Sequence, residues 1–379
     1  MEDRNITQET IIKAVKGEQL YEMASESEKS EDSDILDAME AVVKANPRFQ
    51  GKTFIQLKRS AEFRKKLKEY RLNNSLSANE TAIEILNSVI PKKHVKPNNK
   101  LANTIADDNI IDDGAFRLVV SPKNAKKEVT TKVMLAYDNK KIELYDKNRK
   151  YMPYDREVYD GVVTLFAAGN DTITPAMVYR AMNGLTETEY IKPETLEKVR
   201  DSLDKSMRIY TVIDYTEEAK MYNKKIDKTT YEGYLLAGEK ITVKINGESH
   251  EAYKIFNPIL YKYAQVSGQI ISVPIKVLQT KNAVRSTDEV IVIRGYLLRQ
   301  IEWMRNTKTT RSDVITYQAI YDELDIPKDI FNAKAYENKT RLIRNHTKAI
   351  LDEWQDQAYI VQYGEIKDGN KLLGIKMMI

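Results

Sequence analysis

From residue 154 onward the chain shows one succession of predicted elements twice, and this repeat limits its folds more than any single motif. Each half has three segments with helical spacing of apolar residues, followed by two strand-like segments joined by a tight-turn sequence. In the first half the helices begin near Asp155, Pro175 and Pro193, and the turn is Asn246-Gly247. In the second half the first helix follows Ser286 or Thr287, the second lies within 314–326 and the third spans about 337–357. The turn of this half lies at 367–370.

Three helices followed by a two-stranded hairpin is the arrangement of a winged-helix domain. We therefore predict an α+β, mainly helical protein with two tandem winged-helix domains, at 154–283 and 284–379. The third helix of such a domain can enter the major groove of DNA. A short strand-containing segment, 101–153, is predicted to precede the two domains, with strands at 116–120, 131–137 and 141–145.

The first hundred residues differ from the rest in charge. Residues 1–40 hold twelve acidic and four basic residues, a net charge of −8, whereas residues 41–100 hold fourteen basic and four acidic ones, a net charge of +10. Sequence rich in acids and serine with few apolar residues cannot bury a core, so we predict an acidic disordered tail at 1–34. A basic helical region at 35–100 follows, and its last ten residues, PKKHVKPNNK, are interpreted as a linker.

A group of cations within 54–72 is a candidate nonspecific nucleic-acid patch, because lysine and arginine that neutralise phosphates release counterions. Two other interpretations stay open. The patch could bind the acidic tail of its own chain, or it could be an ordinary solvated helix. The residues concerned are Lys58, Arg59, Arg64, Lys65, Lys66, Lys68 and Arg71.

The segment KTRLIRNHTKAILDEW, Lys339–Trp354, has helical spacing, but its four cations lie within its first three turns and its acids at its end. A helix dipole favours the opposite arrangement, with acids at the N-terminus and cations at the C-terminus. With Ile343 at the centre of the buried face and 100° per residue, Arg341, Asn345 and Lys348 point away from the core. They form one exposed stripe on the third helix of the second predicted domain.

This stripe has the chemistry of DNA recognition. In the major groove, arginine and lysine pair with guanine and asparagine pairs with adenine, while other lysines neutralise phosphates. A charge stripe that is merely solvated would show the same spacing, and that alternative stays open. Lys339 and Thr340, placed at the helix start, and Lys371, placed on the wing, are expected to reach the phosphate backbone. The predicted DNA-binding residues are Lys339, Thr340, Arg341, Arg344, Asn345, Lys348 and Lys371.

The third helix of the first half has the opposite character. With Val199 facing inward, Glu194, Glu197, Asp201 and Asp204 face outward, and that surface would repel a duplex. We therefore expect the first winged helix to make protein–protein contacts. A lysine-bearing loop of the same half is a candidate for phosphate contact, and its residues are Lys220, Lys224, Lys225 and Lys228.

Two longer segments extend the pattern to a known family. YDREVYDGVVTLFAAG, from Tyr154, opens the first half, and FNPILYKYAQVSGQIISVPIKVLQT, from Phe256, precedes the second. Together with the basic third helix and the terminal hairpin, they resemble the plasmid replication initiators with tandem winged helices, the Rep proteins, over about three-fifths of the chain. The resemblance implies a homodimer through the first winged helix and binding of a repeated origin sequence by the second. Residues 1–150 have no counterpart in that family.

The sequence lacks the motifs of the common enzyme classes. It contains no cysteine, no GxxxxGK[ST] and no GxSxG, and its histidines, His94, His250 and His346, are far apart. We therefore predict no catalytic residue, no metal site and no cofactor. An acidic cluster could bind a divalent cation, although a solvated loop is the simpler interpretation; it comprises Asp107, Asp108, Asp112 and Asp113.

No stretch approaches the roughly 18 to 20 apolar residues of a membrane span, and the N-terminus has no secretory leader. We predict a cytoplasmic, sequence-specific double-stranded DNA-binding protein that initiates replication of a plasmid, phage or mobile element, with host replication proteins as further partners. A transcriptional regulator on the same scaffold is the alternative. A third class is a protein-interaction adaptor or inhibitor whose winged helices are docking surfaces only.

Overall fold

The structure, a computed structural model, describes residues 39, 42–50, 52, 56–57, 60–73, 84–85, 87–105, 115–120, 129–137, 151–185, 189–222, 225, 227–245, 248–306, 313–326, 332–369 and 371–379. They divide into two compact units, the first within 1–89 and 240–253 and the second within 90–239 and 254–379. Some predictions fall outside the described residues: the acidic tail, Lys58, Arg59, Lys224, the strand at 141–145, the turn Asn246-Gly247 and the aspartates within 107–113.

The first unit has a small core of aromatic and aliphatic side chains. A 3₁₀ turn, Pro47–Phe49, and helix α1, Ala61–Asn73, bring the rings of Phe49 and Phe63 into edge-to-face contact, with centroids 5.1 Å apart. The other buried members of this core are Met39, Val42, Val43 and Leu57.

The second unit begins with strands and one short helix: β1 (Lys93–Pro97), α2 (Lys100–Thr104), β2 (Ala115–Val120) and β3 (Val129–Tyr137). Strands β2 and β3 confirm the predictions at 116–120 and 131–137. Three helices follow, with a two-residue strand after the first: α3 (Pro153–Ala167), β4 (Thr172–Ile173), α4 (Pro175–Asn183) and α5 (Pro193–Ser206). Their predicted starts are confirmed to within two residues.

Local sequence explains where these helices begin and end. The hydroxyl of Thr174 accepts a hydrogen bond from Met177 N at 3.3 Å and so caps α4, and Pro175 occupies the first helical position. The helix ends at Gly184, whose φ of 62° lies in the left-handed region that glycine adopts without strain. Helix α5 likewise starts at a proline, Pro193.

The elements after α5 complete two sheets. They are β5 (Ile209–Asp214), α6 (Thr216–Tyr222), β6 (Thr230–Tyr234), β7 (Leu236–Ile245), β8 (Glu248–Pro258), α7 (Ile259–Ser267), β9 (Ile270–Pro274) and a 3₁₀ turn, Ile275–Leu278. One sheet is antiparallel with the strand order β2–β3–β5–β6, and the other has the order β4–β8–β7. The segment β5–α6–β6 is therefore an insertion between α5 and the strands β7 and β8.

The second half repeats the order of helix, strand, two helices and two strands. Its elements are α8 (Asp288–Asn306), β10 (Val314–Thr316), α9 (Tyr317–Glu323), α10 (Ala333–Asp356), β11 (Gln362–Asp368) and β12 (Lys371–Met378). Their antiparallel sheet has the order β10–β12–β11, which matches β4–β8–β7 position for position. The chain is α+β, as predicted. Among the helices that the structure describes, none has the length and apolar character to cross a bilayer.

The segment interpreted as a linker, residues 91–100, lies instead inside the second unit. Strand β1 within it pairs antiparallel with β9, so that Val95 lies opposite Ser272. His94 and Lys96, on the alternate positions of β1, are buried. The linker prediction was wrong because lysine and proline dominate the local composition, whereas the carboxylates that pair with Lys96 lie more than sixty residues along the chain.

Lys96 belongs to a buried network of charged side chains. Its Nζ lies 2.9 Å from Asp160 Oδ2 and 3.1 Å from both carboxylate oxygens of Glu157. Arg156 Nε donates to Asp160 Oδ1 at 3.1 Å, and Arg299 Nη1 donates to Glu157 Oε1 at 3.2 Å. Because α3 and α8 both contribute, the network joins the two predicted domains, 154–283 and 284–379, within the second unit, whereas residues 240–253 of the first predicted domain belong to the first unit. The network balances three cations and three carboxylates: Lys96, Arg156, Arg299, Glu157, Asp160 and Glu323.

Burial and neighbouring charges act in opposite directions on the carboxylates of this network. Burial raises the pKa of Asp160, but Arg156 and Lys96 outweigh it, and the net shift is downward. For Glu157 burial is the larger effect, so its pKa is raised in spite of Lys96 and Arg299. The ionised state of Glu157 therefore depends on its cationic partners staying in place.

His94 makes the stability of the fold depend on pH. Its Nδ1 lies 2.9 Å from Thr164 Oγ1, and burial, assisted by Lys96, lowers the pKa of the imidazole to about 3. Below a pH of about 6.5 the unfolded chain binds a proton at this residue that the fold does not bind, so stability falls as pH falls. We expect His94 to lower the free energy of unfolding by about 2 kcal/mol between pH 7 and pH 5.

Urea unfolding at the two pH values, for the wild type and for His94→Leu, measures this contribution. All other groups titrate in both proteins. The decrease in the free energy of unfolding between pH 7 and pH 5 should therefore be smaller in the variant by about 2 kcal/mol. An equal loss in both proteins would show that His94 is not held neutral.

Candidate nucleic-acid interface

Helix α10 is fixed in place by one apolar face. Ile343, Ile350, Leu351 and Trp354 have no exposed surface, which confirms the predicted inward face. The indole Nε1 of Trp354 donates to the Val277 carbonyl at 2.7 Å and anchors the C-terminal end of the helix. Since this face sets the rotation of α10 about its own axis, it also determines which side chains point to solvent.

The start of α10 corrects one part of the prediction. The helix begins at Ala333, where the Asn332 side chain accepts from Ala335 N at 2.9 Å, rather than near residue 337. Lys339 is therefore the seventh helical residue, about 9 Å from the first, and dipole effects fade within the first turn. The prediction that Lys339 and Thr340 lie at the helix start was wrong, and the N-terminal dipole does not act on them.

Both of these residues have partners within the fold. Thr340 is buried, and its hydroxyl donates to the Glu337 carbonyl at 3.0 Å, so it does not face solvent. Lys339 is half-buried and its Nζ pairs with Glu289 of α8. His346 Nδ1 contacts the same carboxylate at 3.1 Å. We therefore exclude Thr340 from the candidate interface.

The remaining predicted residues of α10 divide into two pairs. Arg341 and Asn345 are exposed and lie one turn apart on the outward face, with Arg341 Nη2 donating to Asn338 Oδ1 at 3.0 Å. Arg344 lies at the edge of this face and Lys348 lies between Arg344 and Arg341, and both are half-buried. The outward face thus presents a guanidinium and an amide to solvent, with two further cations beside them.

The edge cations are oriented by side chains from other elements. Arg344 Nη1 donates to the hydroxyl of Tyr321 in α9 at 3.1 Å. Lys348 Nζ lies 3.7 Å from Glu365 Oε1 in β11, and the same oxygen accepts from the hydroxyl of Tyr317 at 3.1 Å. These contacts restrict the positions of both cations, and no pattern within α10 could have shown them, because the partners come from α9 and β11.

The hairpin after α10 carries the last predicted residue. Lys371 is exposed at the start of β12, opposite Asp368 at the end of β11, and Lys367 is exposed beside them. Gly369, between the strands, has a φ of 56°. Lys371 therefore lies at the tip of the hairpin, which is where the sequence placed it.

Acidic residues bound the interface at the other end of α10. Asp352 and Asp356 are exposed in the last turns of the helix, and Glu353 is half-buried beside them. An anionic ligand would be repelled there. The part of α10 suited to nucleic acid is accordingly its middle, residues 338–349.

Helix α5 has the acidic surface that the sequence indicated. Glu194, Glu197 and Asp201 are exposed, while Val199 is buried. Partial burial and the neighbouring Glu197 and Asp204 raise the pKa of Asp201. In the nearby lysine segment, Lys225 and Lys228 are exposed and Lys220 pairs with Glu217 at 3.1 Å. Within the described residues, no group of three or more histidine or acidic side chains is arranged to hold a metal ion.

Only part of the predicted basic patch of the first unit has described side chains. Arg64 is half-buried on α1, and Lys65 and Lys66 are exposed. Lys68 and Arg71 lie in the same helix, but their side chains are outside the described set. The patch therefore stays a prediction.

Comparison with known proteins finds distant structural neighbours. No protein-family model matches the chain, and no curated protein matches it. Two crystal structures of domains 2 and 3 of RctB are similar to it, one as a selenomethionine derivative. They have TM-scores of 0.32 and 0.34 and identities of 12% and 11%, and they cover 70% and 72% of this chain and 92% and 97% of their own.

With TM-scores below 0.5 and identities near one residue in eight, this likeness has no weight for the function of the chain. What α10 can bind has to be inferred from its own side chains and from those that hold them.

Proposed function

We propose that residues 284–379 form a winged helix that binds double-stranded DNA at a specific sequence. In this proposal α10 lies in the major groove and the β11–β12 hairpin contacts the phosphate backbone as the wing. The observation that supports this proposal is the outward face of α10. Arg341 and Asn345 are exposed there, one turn apart, on a helix whose opposite face is fully buried.

The order of elements supports the winged-helix interpretation of both halves. In the second half, α8, β10, α9 and α10 precede the hairpin, and β10 joins it in an antiparallel sheet. In the first half, α3, β4, α4 and α5 precede β7 and β8, and the strand order is the same. The difference between the halves is the charge of the third helix, which is acidic on the outer face of α5.

The exposed side chains match base chemistry in the major groove. Arginine donates two hydrogen bonds to guanine O6 and N7, and asparagine pairs with adenine N6 and N7. Lys371 at the hairpin tip, with Lys367 beside it, is placed to neutralise phosphates, which carry no sequence information but fix the register. Arg344 and Lys348 are positioned for the same backbone contacts at the edge of α10.

The biological role that we infer is replication initiation on a plasmid, phage or mobile element, with the first winged helix forming a homodimer and host replication proteins as partners. No catalysis, metal or cofactor belongs to this proposal. A transcriptional regulator would use the same interface, and the genomic position of the binding site separates these two roles. A repeated half-site would be the mark of a dimer.

The test is selection of a binding site from random duplexes by the purified chain, followed by affinity measurements on the enriched sequence. In the double variant Arg341→Ala plus Asn345→Ala, the loss of two base contacts should weaken specific binding by about 100-fold or more. Nonspecific binding should weaken far less, since only one charge is removed.

Arg285→Ala plus Asn282→Ala is the matched control. It removes the same two residue types from exposed positions before α8, outside α10 and the β11–β12 hairpin, and should leave affinity within about twofold, as expected for surface residues that make no base contact. Enrichment of no sequence, or equal binding by the α10 variant and wild type, would reject DNA recognition by α10 and favour the protein-adaptor class.

A further inference from the structure

The outward face of α10 has two chemically different sides. Advancing 100° per residue from Ile343, Arg341, Arg344 and Lys348 fall on one side of the line opposite the core. On the other side, between residues 338 and 349, every outward position is apolar or an amide, and these positions are Asn338, Leu342, Asn345 and Ala349.

Leu342 is the unexpected member of this uncharged side. Its side chain is 45% exposed, although Ile343 next to it is fully buried and fills the core. A single exposed leucine on a soluble protein is ordinary and needs no explanation. Here, however, it lies three residues from the exposed Asn345, a spacing that makes the two side chains neighbours on the helix surface.

An amide beside a branched apolar side chain fits an A·T pair. In the major groove, adenine offers an acceptor at N7 and a donor at N6, and thymine offers the 5-methyl group. Asparagine satisfies both adenine groups, and an apolar side chain covers the methyl. A G·C pair presents only the C5–H of cytosine at the same position, without the methyl group, and a phosphate presents no apolar group.

We propose that Leu342 is a specificity-determining residue that packs against the 5-methyl group of thymine while Asn345 binds adenine. The bound sequence then contains A·T pairs on the side of α10 that carries Leu342. Guanine or phosphate contacts lie on the side of Arg341. This inference rests on the proposed DNA binding by α10 and names the base pairs that it selects.

Uracil is the probe that isolates the methyl contact. In duplexes of the enriched site, each thymine is replaced in turn by deoxyuridine, which removes one methyl group and keeps every hydrogen bond. We expect one replacement to weaken binding of the wild-type chain by about fourfold, the effect of losing one buried methyl group. Leu342→Ala should weaken binding to the thymine duplex by a similar factor or more. The variant should bind the uracil duplex no more weakly than it binds the thymine duplex.

Two further variants keep the outcome interpretable. Leu342→Ile retains an apolar side chain and should recover most of the thymine preference. Val266→Ala truncates a comparably exposed apolar residue, 41% exposed on α7, and should keep the full response to uracil. Circular dichroism of each variant establishes that it is folded.

The result distinguishes failure of this inference from failure of DNA recognition itself. Suppose that Arg341→Ala plus Asn345→Ala abolishes specific binding, but that uracil weakens binding by the same factor in Leu342→Ala as in the wild type. Then α10 binds DNA without a thymine contact at Leu342. An enriched site that contains no A·T pair would also overturn the inference. If the double variant binds like wild type, the proposed function fails first.

Discussion

Gly295→Ala is expected to destabilise the second unit by about 3–5 kcal/mol, although alanine is the better helix former by about 1 kcal/mol. Gly295 lies in the middle of α8, and a Cβ atom there would overlap the carboxyl group of Glu157. That carboxylate cannot move aside without cost, because it is buried and held by Lys96 and Arg299. Displacing it would leave both cations in the interior without one of their partners.

Urea unfolding at pH 7, followed by circular dichroism, measures this effect. Gly364→Ala is the control, because a Cβ on that glycine of β11 has no neighbour within 4 Å. It should be neutral or slightly stabilising. A Gly295→Ala protein that unfolds at the wild-type urea concentration would mean that the carboxylate of Glu157 does not occupy this position.

Lys96→Met is expected to have an effect of similar size, about 3–5 kcal/mol, because removing one partner of a buried ion pair leaves an uncompensated charge. The side chain of Lys96 is fully buried against Glu157 and Asp160. In the variant the two carboxylates would hold a proton more readily in the fold than in the unfolded chain. The loss of unfolding free energy in Lys96→Met relative to wild type should therefore be smallest at low pH and should increase as pH rises.

Lys93→Met, on the same strand, is the matched control. Its side chain is exposed, so the same substitution should change stability by no more than about 0.5 kcal/mol. Unfolding curves at pH 5 and pH 8 for both variants give the comparison. A Lys96→Met deficit that stays constant across this range would show that the carboxylates do not respond to the loss of the lysine.

The sequence predicted those parts of the fold whose causes are local. Apolar spacing located α3, α4 and the buried face of α10, and Thr174 with Pro175 marked the start of α4. The start of α10 was misplaced although Asn332, a favourable capping residue, was available as a signal. A cap and its helix lie within a few residues of each other, so this error was avoidable.

The parts that could not be predicted depend on contacts between distant segments. Strand β1 was missed because Lys96 is compatible with burial only when Glu157 and Asp160 are beside it. In the candidate interface, the outward direction of Arg341 and Asn345 followed from helical geometry. The contact that orients Arg344, the hydroxyl of Tyr321, depends on how α9 packs and has no signature within α10.

The buried network has a consequence for modularity. A repeated set of elements is usually pictured as a unit that can be moved between proteins, yet here α3 of the first half and α8 of the second share one set of charges. A cut at 283/284 would leave Arg299 without Glu157 and Glu157 with fewer cations. We therefore expect that neither half folds stably when it is separated from the other, because each would keep buried charges without their partners.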